Sequence, residues 1–95
     1  MDIMITSGQI RAARALLGID QRNLAKIAGL SLPTIQRMEA SEGNVRGNID
    51  SLTKLVESLE RVGIILLGEG ASSDGGGRGV RLREGSLPHE PTNTE

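Results

Sequence analysis

The sequence predicts a mainly α-helical fold, four short helices followed by a two-stranded β-hairpin. Three observations carry that expectation. Apolar residues recur at helical spacing in four blocks before residue 63. Residues that cap helices stand in front of these blocks, and glycines stand behind the first two. After Gly63 the pattern changes to alternation, with Val80 and Leu82 interleaved with Arg81 and Arg83.

The elements follow in order. Thr6 and Gln9 have the spacing of a capping box, and Ile10, Ala13, Leu16 and Leu17 then supply one apolar side, so the first helix runs from about Ser7 to Leu17 and stops at Gly18. Asp20 caps a second helix with apolar positions Leu24, Ala25, Ile27 and Ala28, closed by Gly29. Ser31 caps a third. Pro33 is tolerated in its first turn, where a missing N–H leaves no partner unmet, and Ile35 and Met38 face inward. The fourth helix, about Ile49 to Val62, has the strongest pattern: Leu52, Leu55, Val56, Leu59 and Val62. Ile64 to Leu67 then form a strand that is apolar on both faces, or else the fourth helix continues through Gly63, which costs a helix only about 1 kcal/mol.

A domain at residues 1–62, a hairpin at 63–83 with a flexible loop at 68–78, and a disordered tail at 84–95 complete the expected organisation. The tail has too little apolar content to fold.

Composition excludes several functions. Cysteine is absent and the one histidine, His89, stands alone, so the sequence calls for no metal, disulfide or cofactor. Phe, Tyr and Trp are absent too, which removes the stacking platforms used by readers of single-stranded nucleic acid. No nucleophile has a base near it, and "GEGASSDGGGRG" has the spacing of neither a P-loop nor a dinucleotide fingerprint, so catalysis is not expected. A lone RGG-like step at Arg78 is poor evidence for RNA. No apolar run approaches the length of a membrane span, and a cytoplasmic location is expected. The net charge is -1, yet residues 1–47 carry about +2 and the remainder about -3. Only the first half suits phosphate.

The most informative stretch is "GIDQRNLAKIAGLSLPTIQRMEA". Two short helices joined by a glycine-containing turn at Ala28 to Leu30, with a small residue at Ala25 where the helix axes approach, make a helix-turn-helix. Leu17-Gly18, Gln21, Leu24-Ala25, Ala28-Gly29, Ser31, Thr34-Ile35 and Glu39 together resemble the lambda-repressor and Cro-like family, also called the XRE family, over roughly residues 6 to 62. The resemblance implies a compact four-helix helix-turn-helix domain that binds double-stranded DNA.

Carried over by position, it implies that Gln21 meets the DNA backbone and braces the third helix, which presents Leu32, Pro33, Gln36 and Arg37 to base edges, with Ser31 and Thr34 nearer the phosphates. Arg22 and Arg46 are further phosphate candidates. Leu32 and Pro33 depart from the polar readers frequent in the family; they pack against thymine methyl groups or shape the helix entrance. Arg14 and Glu39 either pair across the first and third helices or are separately solvated.

The expected function is a sequence-specific transcriptional regulator, a repressor that reads a palindromic operator as a homodimer. Ile64, Ile65, Leu66, Leu67, Val80 and Leu82 are the candidate dimerisation residues, because an isolated hairpin is marginal and one apolar on both faces needs two partners. The alternative is a protein-interaction module of the same fold, such as an antitoxin or anti-activator, that works through a protein partner.

Overall fold

A computed structural model of the chain describes residues 5–45, 47–68 and 77–83. It contains α1 (Ser7–Leu17), α2 (Gln21–Ala28), α3 (Leu32–Glu39), α4 (Ile49–Arg61), β1 (Ile64–Leu67) and β2 (Gly79–Leu82), in that order.

Each helix starts where a side chain satisfies an orphan N–H. Thr6, Asp20, Ser31 and Asn48 accept from the amides of Gln9, Asn23, Thr34 and Ser51, each three residues on. The expected capping box at Thr6 and Gln9 is complete, with the Gln9 side chain accepting from the Thr6 amide at 2.9 Å. Gly29 ends α2 at φ 69°, in the left-handed region that lets the chain turn at once into α3.

The apolar sides of the helices meet in one core, in which Ile10, Leu24, Ile35, Leu55 and Leu59 are fully buried. Ile5 and Val45 join it from outside the helices. Their backbones pair, Val45 N–H donating to the Ile5 carbonyl at 2.9 Å, next to a bridge between Thr6 and Asn44. Leu16, expected among the inward residues of α1, is instead exposed; Leu17 takes the core position, since adjacent residues point about 100° apart on a helix.

The hairpin is the alternative that the fold adopts after α4. The helix stops at Arg61, Val62 is its half-buried cap, and Gly63 turns the chain at φ 101°. β1 and β2 pair antiparallel, with Ile64 opposite Leu82, Ile65 opposite Arg81, Leu66 opposite Val80 and Leu67 opposite Gly79. Alternation then sorts the side chains. Ile64, Leu66, Val80 and Leu82 share the face packed on the helices, and Ile65, Leu67 and Arg81 share the other.

A second anchor is polar. The Gln9 side-chain nitrogen donates to the carbonyls of Leu67 (3.1 Å) and Gly79 (2.9 Å), so the residue that closes the α1 capping box also ties both strands to the start of α1.

Candidate nucleic-acid interface

α3 has two sides. Ile35, Met38 and Glu39 are buried, whereas Pro33, Gln36 and Arg37 are exposed at i, i+3 and i+4 spacing and so form one outward stripe. Leu32 and Thr34 are half-buried at the amino-terminal end, beside exposed Ser31. The Ser31 hydroxyl accepts from the Thr34 amide at 3.2 Å, and the two hydroxyls share a hydrogen bond of 2.8 Å. An α-helix with its side chains is about 10–12 Å across, which fits the roughly 12 Å width of a DNA major groove.

The opposite end of α3 is held by three side chains from other helices. Arg14 of α1 grips the Glu39 carboxylate with both prongs, Nε to Oε2 at 2.6 Å and Nη2 to Oε1 at 2.8 Å. Gln21 of α2 donates from Nε2 to the same Oε1 at 3.0 Å. Arg11 donates to the Glu39 main-chain carbonyl at 2.7 Å, satisfying one of the acceptors that a helix leaves open at its carboxyl end.

The electrostatics of this knot are balanced by hydrogen bonding. Burial pushes the Glu39 carboxyl up, but the bonds from Arg14 and Gln21, with the positive charges of Arg14 and Arg11, outweigh it and hold the group below the usual carboxylate range. Arg14 is held above its ordinary value mainly by its bond to Glu39, against a smaller opposing effect of burial. Two charges are thus consumed internally, which leaves Arg37 as the free cation of α3.

The sequence-derived site is partly gathered by this arrangement. Ser31, Leu32, Pro33, Thr34, Gln36 and Arg37 lie on α3 and its cap; Arg22 is exposed on the first turn of α2; Gln21, half-buried, faces Glu39. Arg46 lies outside the described residues. The pairing of Arg14 with Glu39, left open by the sequence, is the arrangement present. Arg11 was missed as a positioning residue; its place three residues before Arg14, on the same side of α1, is the signal that would have found it.

Of the dimerisation candidates, Ile64 lies inside the chain's own core and Leu66, Val80 and Leu82 pack against that core, while Ile65 and Leu67 turn away from it. No helix among the described residues is long and apolar enough to cross a membrane.

No curated protein matches the chain. A family model described as "Helix-turn-helix" matches residues 10–60, a span that opens within α1, closes within α4 and contains α2, the Gly29 turn and α3 whole. That span is more than half of the chain, and its match joins the α3 geometry to a class of DNA-binding regulators: the chain belongs to the helix-turn-helix family of XRE and lambda-repressor-like proteins.

Proposed function

We propose that the chain is a sequence-specific repressor that lays α3 in the major groove of duplex DNA and reads a palindromic operator as a homodimer in the cytoplasm. The observation that carries this reading is the division of α3 into a stripe held in the core and a free stripe of Pro33, Gln36 and Arg37, with one end clamped by Arg11, Arg14 and Gln21. A reading helix fixed before it meets its ligand loses little freedom on binding.

Each residue then has a task. The Arg37 guanidinium donates two hydrogen bonds to the O6 and N7 of a guanine, and the Gln36 amide makes the corresponding pair with an adenine. Leu32 and Pro33 meet thymine methyl groups or set the entrance of the helix into the groove. Ser31, Thr34, Arg22 and Arg46 face phosphates. Gln21 joins them, because its Nε2 carries two hydrogens and Glu39 takes one.

Dimerisation follows from the outer face of the hairpin. Ile65 and Leu67 are apolar, half-buried and turned away from the helices, so a second copy packed across a two-fold axis removes them from water and protects the strand edges.

Titration of short duplexes at several salt concentrations tests this function. Free-standing binding that weakens steeply with salt and is lost on single strands is the expected result. Absence of binding to every duplex, with capture of a protein partner instead, overturns it in favour of an interaction module.

A further inference from the structure

A groove of about 290 Å³ lies between α2 and α4, lined by Lys26, Ile27, Ala28 and Gly29 on one side and Lys54, Glu57, Ser58 and Arg61 on the other. Ile27, Ala28 and Gly29 are its uncharged residues on the α2 side. Its rim carries three cations and one carboxylate. None of these four charges is paired within 4 Å among the described residues, where Arg14 with Glu39 is the one ion pair. Arg61 is also tethered. Its Nη2 donates to the Ser58 hydroxyl at 3.2 Å, and that hydroxyl, almost wholly buried, donates to the Lys54 carbonyl at 2.6 Å. A guanidinium has five N–H donors, so most of those on Arg61 stay open to an anion.

We infer that this groove is a docking site for an acidic peptide, and that the peptide is residues 84–95 of the same chain. The sequence "EGSLPHEPTNTE" carries Glu84, Glu90 and Glu95 with no Lys or Arg, and it includes Leu87 and Pro88, apolar residues that suit half-buried Ile27 in the lining. These residues lie outside the described ones, but their point of departure does not. The Arg83 amide donates to the Gly63 carbonyl at 2.7 Å, and Gly63 is two residues beyond Arg61 on the groove rim. Twelve residues span up to about 40 Å when extended, more than enough to cross from α4 to α2. Carboxylate contacts at an open rim are individually weak. A short tether overcomes this, because it holds the segment at an effective concentration of roughly millimolar.

The chain has no cysteine, so Thr92→Cys in the full-length protein gives a single attachment point for a nitroxide label. The expected result is paramagnetic broadening of the amides of Lys26 to Gly29 and of Lys54 to Arg61, lost when Glu84, Glu90 and Glu95 are all changed to Gln, and lost again in Lys54→Glu. Broadening confined to the hairpin, or broadening that survives both changes, overturns the proposal. So does broadening carried by a mixture of labelled chains with isotopically enriched unlabelled ones, since that places the segment on a second copy.

Discussion

Arg14 and Glu39, 25 residues apart in sequence, form a two-pronged ion pair that joins the first helix to the last residue of the third. The Glu39 side chain is 4% exposed and that of Arg14 23%, so removing the arginine strands a charge away from water. Arg14→Ala is expected to cost about 2 to 3 kcal/mol, the cost of leaving a buried charged group without its partner. In a domain of this size that lowers the thermal midpoint by roughly 4–8 °C per kcal/mol. Calorimetry checks it; an unchanged midpoint means the pair is ornamental.

The same pair sets a pH dependence. Because the folded carboxyl of Glu39 lies below its unfolded value, the unfolded chain takes up its proton first as acid is added. The stabilisation is fully present above the unfolded value, about pH 4.3, and is lost as the pH falls through the lower folded value. Denaturation at a series of pH values is expected to show parental stability falling more steeply below about pH 4.3 than that of Glu39→Gln, whose amide does not titrate. Parallel curves contradict this.

Gln9 performs two separable tasks. In Gln9→Glu a carboxylate oxygen still accepts from the Thr6 amide, but nothing donates to the carbonyls of Leu67 and Gly79. The α1 cap is expected to survive while the hairpin loosens. Hydrogen exchange reads the difference: faster exchange in β1 and β2 with unchanged protection in α1 supports it, and uniform acceleration does not.

At the proposed reading stripe of α3, Arg37→Ala is expected to cost about 1 to 3 kcal/mol on the preferred duplex and to relax selection at one base pair. Arg37→Lys restores only part of this, because an ammonium lacks the planar fork. Binding to the preferred site and its single-base variants decides; an unchanged preference profile removes Arg37 from the readout.

The proposed hairpin interface is best probed from outside. Cutting the chain after Gly63 removes Ile64, a core residue, and risks unfolding the helices. Ile65→Asp with Leu67→Asp leaves the core face intact and is expected to convert a dimer into a monomer in sedimentation at micromolar concentration. Dimers that persist place the contact elsewhere.

The readable parts of this chain were those set by local chemistry. Thr6, Asp20 and Ser31 marked three helix starts because each bonds an amide only three residues away, and Gly29 marked a stop because its backbone conformation suits few other residues. What escaped was fixed at long range. Nothing in the helical period announces that Gln9 reaches residues 58 and 70 positions away, or that Ile5 and Val45 pair to complete the core. Leu16 was misplaced for a related reason: two adjacent leucines both fit an apolar side, and tertiary packing had room for one.

Selection of bound sites from a pool of random duplex DNA tests the central claim most directly. A dimer that reads with α3 enriches a two-fold-symmetric consensus, its half-sites about one helical turn of 10 to 10.5 base pairs apart, with a guanine in each that loses its selection in Arg37→Ala. Enrichment of no sequence over the starting pool would contradict it.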